Sequence, residues 1–175
     1  MMKKLEDYII SIPDFPQEGI IFRDVTGALN DGEGFRLACE AYREMLKDVD
    51  FDVIVGAEAR GFIFGAVLSY MFNKPFVPAR KAGKLPREVI SQEYDLEYGK
   101  ATVEMHTDAV KPGQKAIIVD DLIATGGTVE ATAKLVERLG GEVVKCVFLI
   151  ELAGLNGRKK LEGYDVEAAI VYEGK

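Results

Sequence analysis

Histidine is almost missing from this chain. Of 175 residues only His106 is one, so a histidine metal site or a Ser–His nucleophile pair has nothing to work with, and the residue reads as an alternating-strand position. Cysteine is nearly as scarce. Cys39 and Cys146 fall in patterns that read as helix and strand, without C-x-x-C spacing, so two buried thiols in a reducing compartment are expected. Long apolar runs are absent too. The longest, GFIFGAVLSYMF at 61–72, falls well short of the roughly 20 residues that cross a bilayer. Its glycines at 61 and 65 read as close helix packing within a core. The N-terminal segment shows no secretory apolar region, so a cytoplasmic protein without membrane contact is expected. No basic tract appears: 22 Lys and Arg stand against 29 Asp and Glu, a formal charge of −7. That balance disfavours extended nucleic-acid binding, and any phosphate site must work through local N–H groups and a few placed cations. The Tyr and Phe residues form no stripe interleaved with basic residues, which argues against a single-strand-binding surface. Internal repeats and low-complexity tracts are also lacking.

What is present suits one folded domain spanning residues 1–175. A chain of this length buries about 70% of the surface its unfolded form would expose. The pattern predicts a helix at 3–11, then a Pro- and Gly-punctuated segment with Phe15, Pro16 and Gly19, so that residues 1–35 form an addition to the main unit. An amphipathic helix is expected at 34–47. Strands are expected at 53–55, 75–79, 102–105, 116–119, 143–150 and 166–171. Helices are expected in the apolar run at 61–72, at 126–139, and in a short piece at 158–161. Residues 80–100 read as a long polar loop, of a length that is usually functional. Apolar strands alternating with helices imply an α/β fold, a mainly parallel sheet with helices on both faces. Ligands gather at the carboxyl ends of such strands. Both Glu58-Ala59-Arg60 and residues 120–128 directly follow predicted strands, which puts them on one rim.

Residues 119–128 read V-D-D-L-I-A-T-G-G-T. An apolar strand runs into two carboxylates, and a small-residue turn follows before a helix. Glycines permit tight turning and close approach to an anion, while free N–H groups and Thr hydroxyls donate to phosphate oxygens. Asp120 and Asp121 repel phosphate, so they suit sugar hydroxyls or a hydrated cation, and the pairing suggests a ribose 5-phosphate. Other nucleotide motifs do not compete. Gly32-Glu33-Gly34 lacks the third glycine of a dinucleotide fingerprint, and Thr125-Gly126-Gly127-Thr128 lacks the lysine of a P-loop.

This stretch resembles the signature of type I phosphoribosyltransferases. FPQEGIIFRD (15–24), EARGF (58–62), RKAGKLP (80–86) and YDLEYG (94–99) narrow the resemblance to the adenine-specific branch of that family, over nearly the whole chain. The resemblance implies an enzyme that moves the phosphoribosyl group of phosphoribosyl pyrophosphate (PRPP) to adenine, giving AMP and pyrophosphate in purine salvage. It also implies a homodimer, Mg²⁺ carried mainly by PRPP without a dedicated protein cage, and a base-binding hood formed by residues 1–35. Ribose 5-phosphate would fall to Asp120, Asp121, Ala124, Thr125, Gly126, Gly127 and Thr128. Pyrophosphate would fall to Glu58, Ala59, Arg60, Arg80 and Lys84, with a cis peptide at Glu58-Ala59 and some cations lent to a neighbouring subunit. Adenine would meet Ile21, Phe22, Arg23 and Leu122, with Arg23 acting mostly through its main chain. Glu97 matches the glutamate that manages a purine proton, and the catalytic set is Glu97, Arg60, Asp120 and Asp121. Glu93 and Tyr94 are weaker candidates.

Taken residue by residue, plainer roles stay open. Arg60 serves equally as a helix cap or a partner of Glu58, residues 20–22 as a short buried strand, Arg23 and Asp24 as a surface pair, and Glu97 as an exposed acid. Lys81 and Arg87 read as solvated charges of the loop. A transferase for hypoxanthine, guanine or xanthine shares the signature. A non-catalytic PRPP-sensing regulator would need a basic surface or an added domain.

Overall fold

The computed structural model describes residues 3–96 and 99–174. It begins with a 3-10 turn, Leu5–Tyr8, and a hairpin of β1 (Ile10–Pro13) and β2 (Ile21–Asp24). A single turn, α1 (Thr26–Leu29), leads into α2 (Gly32–Leu46), β3 (Val53–Ala57), α3 (Arg60–Phe72) and β4 (Phe76–Lys81). An antiparallel pair follows, β5 (Val89–Asp95) and β6 (Lys100–His106), then β7 (Lys115–Ile123) and α4 (Gly127–Arg138). The chain ends with β8 (Glu142–Leu152), two 3-10 turns (Ala153–Leu155 and Gly157–Leu161) and β9 (Val166–Tyr172).

The main sheet runs β5-β6-β4-β3-β7-β8-β9. Strands β4, β3, β7, β8 and β9 are mutually parallel, and β6 joins β4 antiparallel. The mainly parallel α/β sheet is therefore observed, with β5 and β6 extending one edge as an arm. Side-chain alternation along each strand splits the core in two. Ile54, Ile117 and Val119 pack on one face with Tyr42 and Leu46 of α2 and with Phe64 and Leu68 of α3. Val53, Val55 and Ile118 pack on the other with Leu135 and Val136 of α4. Strands covered on both faces need near-continuous apolar sequence, and β3 and the first half of β7 have it.

Local chemistry fixes the helix ends. The Asp31 carboxylate accepts from the Glu33 and Gly34 N–H groups at 2.9 and 3.0 Å, capping α2. Asp24, just before the Val25 N-cap of α1, takes the Thr26 N–H and hydroxyl at 2.8 and 2.7 Å. Gly61 and Gly65 do serve close packing. A Cβ on Gly61 would lie 2.7 Å from the Val119 carbonyl oxygen, and one on Gly65 2.6 Å from the Phe76 ring. Among the described residues no helix is long and apolar enough to cross a membrane.

Three expectations are corrected. The opening helix at 3–11 is one 3-10 turn, because Ile10 and Ile12 pair across the hairpin with Asp24 and Phe22. Residues 80–100 are not a loop throughout, since β5 pairs with β6 over seven positions and rests on α4, where Arg138 donates to the Ser91 carbonyl at 2.6 Å. The signature strand continues through both aspartates to Ile123. The remaining predicted strands and helices stand where expected, with ends shifted by a few residues.

Candidate active site

The carboxyl ends of β3, β4 and β7 form one rim. Glu58, Ala59 and Arg60 leave β3, Arg80 and Lys81 close β4, and Asp120 and Asp121 lie near the end of β7. Together Glu58, Ala59, Arg60, Asp120, Asp121 and Leu122 line a hollow of about 270 Å³. A smaller cradle of about 100 Å³ adjoins it, lined by Asp120 and residues 122–129. Ala124, Thr125, Gly126, Gly127 and Thr128, the residues named in the sequence for the 5-phosphate, all line that cradle.

Arg60 does not pair with Glu58. Its guanidinium meets the buried carboxylate of Asp121, while about half of the side chain stays exposed to the hollow. Asp120 sits beside that pair, its Oδ1 accepting the Asp121 N–H at 2.9 Å. Burial first, and then the neighbouring Asp121 charge, push the Asp120 carboxyl well above the ordinary range. Such a group gains from any donor or cation that arrives at the rim. The Asp120 carbonyl also accepts a 2.7 Å hydrogen bond from the Tyr42 hydroxyl, which α2 supplies from 78 positions earlier. Tyr42 is fully buried, and sequence reading missed it because only packing brings α2 under β7.

Glu58 organises the cations. Its carboxylate accepts from Arg80 at 3.1 and 3.3 Å, from the Lys84 ammonium at 2.7 Å and from the Lys81 N–H at 3.0 Å. These donors, the Arg80 hydrogen bonds foremost, hold its pKa down at about 2. The peptide bond between Glu58 and Ala59 is cis. Arg80 and Lys84, two of the cations named in the sequence for pyrophosphate, thus gather on Glu58, which itself lines the hollow. Arg87 instead pairs with Asp108 at the surface, and the Lys81 side chain is exposed, both in keeping with solvated charges.

The cradle is held by backbone geometry. Gly126 precedes α4 with φ +80°, and a Cβ there would lie 2.5 Å from the Gly157 carbonyl oxygen. Gly127 is less confined: a Cβ would meet the Tyr94 ring at 3.1 Å and the Asp95 carbonyl at 3.5 Å, so its open side faces the arm. Tyr94 reaches the cradle directly, its phenol oxygen accepting from the Thr128 hydroxyl at 3.2 Å. Glu93 turns away to an exposed pair with Lys100. Glu97 lies outside the described residues.

The predicted base contacts divide between two places. Leu122 lines the hollow, whereas Ile21, Phe22 and Arg23 lie on β2 of the hairpin. Phe22 meets Phe15 edge to face at 5.3 Å, and both Ile21 and Phe15 remain exposed. Arg23 stacks over the Tyr172 ring at 3.9 Å and donates to Ser11 at 2.5 Å, so its side chain ties the hairpin to β9. The next residue, Asp24, is near enough for its charge to act on Arg60. His106 is nearly buried on β6, and burial pushes the Cys39 and Cys146 thiols up to about 11 and about 12, far from reactive thiolates. Among the described residues no three His, Cys, Asp or Glu side chains gather as a metal-holding group.

Comparison with known proteins gives the family. The phosphoribosyl transferase domain family matches residues 32–174. An adenine phosphoribosyltransferase of Lachnoclostridium phytofermentans is 62% identical over 99% of this chain and 100% of its own length. The crystal structure of adenine phosphoribosyltransferase from Thermoanaerobacter pseudethanolicus superposes with a TM-score of 0.92 at 52% identity, covering 96% of this chain and 98% of that one. The Saccharomyces cerevisiae enzyme, solved with an imino-altritol bisphosphate and adenine, gives a TM-score of 0.88 at 39% identity, covering 94% and 96%.

Proposed function

The chain belongs to the adenine phosphoribosyltransferases of the phosphoribosyl transferase family, and we infer from its site that it transfers the 5-phosphoribosyl group of PRPP to adenine, releasing AMP and pyrophosphate. The observation that carries this reading is the meeting of three chemistries on one rim: a glycine-rich anion cradle, a pair of aspartates and a group of cations. They match the three parts of PRPP, which are the 5-phosphate, the ribose diol and the pyrophosphate. Purine salvage is the matching role, because the reaction turns a free base into a nucleotide.

Breaking the bond at the anomeric carbon builds positive charge on the ribose ring and negative charge on the departing pyrophosphate. Arg60 in the hollow, with Arg80 and Lys84 held beside it by Glu58, supplies the compensating positive charge. Asp120 and Asp121, the latter paired with Arg60, suit the ribose hydroxyls and favour the cationic ring. Oxygen-only donors of this kind also suit a hydrated hard cation. Asp120 and Asp121 would help hold Mg²⁺ carried by PRPP, and the chemistry that ion would supply is neutralisation of the leaving group's charge. Glu97, lying between β5 and β6 in sequence, is assigned the purine proton on the strength of its motif. For the base, Leu122 supplies one apolar contact, and the Ile21-Phe22-Arg23 strand supplies another apolar surface plus main-chain donors and acceptors.

Homodimerisation fits an apolar face on α3, where Ile63, Tyr70 and Met71 are exposed at helical spacing. The two unreactive thiols suit the reducing cytoplasm. Purified protein with PRPP, Mg²⁺ and adenine is expected to form AMP, and chelating the metal is expected to stop turnover. No AMP under those conditions overturns the assignment. Competition among adenine, hypoxanthine, guanine and xanthine separates it from a transferase for another purine, and adenine is expected to win.

A further inference from the structure

We propose that Arg158, through its pair with Glu151, is a positioning residue for the 5-phosphate cradle. The inference deepens the reading above, in which residues 124–128 hold the 5-phosphate. It starts from the 3-10 turn Gly157–Leu161, which contributes none of the residues lining that cradle.

That turn touches the cradle at three points. A Cβ on Gly157 would lie 2.4 Å from the Ala124 carbonyl oxygen, and a Cβ on Gly126 would lie 2.5 Å from the Gly157 carbonyl oxygen. The two segments therefore meet backbone to backbone, with the Ile123 side chain alongside. At the far end of the turn, the Lys160 ammonium comes 3.6 Å from where a Cβ on Gly127 would stand. The cradle's N–H groups point where they do only while this turn stays in place beneath them.

Arg158 holds the turn. Its Nε and Nη2 donate to the two oxygens of Glu151 at 2.7 and 2.6 Å, and its Nη1 donates to the Val166 carbonyl at 2.7 Å. Glu151 is buried near the end of β8, and Leu161 closes the turn in the core. A forked pair on a buried carboxylate fixes direction as well as distance, which an ammonium cannot match. The three donations tie the turn to β8 and to the start of β9, so the sheet itself sets the position of the cradle.

The test is binding of ribose 5-phosphate to the full chain by calorimetry, with adenine binding and thermal unfolding measured in parallel. Arg158→Lys keeps a cation beside the buried Glu151 but loses the fork. It is expected to fold and to bind ribose 5-phosphate roughly tenfold more weakly, the loss that follows when a hydrogen bond from the cradle to the phosphate is misaligned. Adenine affinity is expected to stay within about twofold. Gly157→Ala, which forces the two backbones apart, is expected to show the same selective loss. Folded Arg158→Lys protein with unchanged ribose 5-phosphate affinity overturns the proposal, and a lowered melting temperature with unchanged affinity does so equally. Because the sugar phosphate is the probe, the result stands even if the wild-type protein makes no AMP, an outcome that would defeat the functional reading instead.

Discussion

Glu58 stands among the cations assigned to pyrophosphate, and its carboxylate gathers Arg80, Lys84 and the Lys81 N–H onto one point. Without it, Arg80 and Lys84 would repel one another across the rim and lie further from the hollow. Its pKa falls from 4.5 to about 2 on folding, so the charged form is the one the native state prefers. A depressed carboxylate contributes stability above its unfolded pKa and loses it as pH falls towards the folded value. Wild type is therefore expected to exceed Glu58→Gln in stability by a full margin at neutral pH, by less below 4.5, and to lose what remains as pH falls through about 2. Urea titrations of both proteins at about pH 7 and about pH 3 check this, and a margin that grows in acid contradicts it. Arg60 shows why charge type alone could not settle a role. Sequence left a pair with Glu58 open, yet the fold gives Glu58 to Arg80 and Lys84 and gives Arg60 to Asp121. Residue identity placed these groups on the rim, and strand order decided which of them met.

Helix α3 shows how one element couples packing to the site. Gly61 lets its first turn lie against the backbone of β7, and the residue before it is Arg60. Gly61→Ala drives a methyl into the Val119 carbonyl oxygen, where no rotamer can relieve it, and is expected to cost about 1–3 kcal/mol. Gly65→Ala meets the Phe76 ring instead, which can turn, so its cost is expected to be smaller. Thermal unfolding of the two variants gives the order, and a reversal would show that α3 is not seated by its first glycine. Elements buried on both faces were legible because their apolar runs admit few alternatives, as at β3 and in the first half of β7. The arm was not. Residues 89–95 are largely polar and half exposed, and what makes them a strand is pairing with β6 and support from Arg138 of α4. Residues 3–11 failed for the opposite reason: Leu5, Tyr8 and Ile9 have helical spacing, but β-branched residues just beyond pair with a partner strand. The cradle was readable from its glycines and threonines, whereas Tyr42 and the Gly157–Leu161 turn reach the site only through tertiary packing.

Across the whole molecule, the proposed site divides between two bodies of secondary structure. The sheet rim carries the phosphate cradle, the aspartates and the cations, and the two-stranded hairpin carries Ile21, Phe22 and Arg23. This division suits a chain with a net charge of −7, since anionic substrate groups are confined to a spot where placed cations and free N–H groups outweigh the distant field. The hairpin is tied to the sheet by Arg23 over Tyr172, so base and sugar phosphate contacts can be altered separately. Phe22→Ala removes the ring that packs on Phe15 and leaves the rim untouched. It is expected to raise the KM for adenine about tenfold, a loss of about 1.4 kcal/mol, while ribose 5-phosphate affinity stays within about twofold. The comparison is sharp because the cradle lies on β7 and α4, which share no strand pairing with the hairpin. Equal weakening of both ligands would mean that the hairpin holds the rim together instead of reading the base. An unchanged adenine KM would move base recognition elsewhere, with Leu122 in the hollow as the remaining apolar contact.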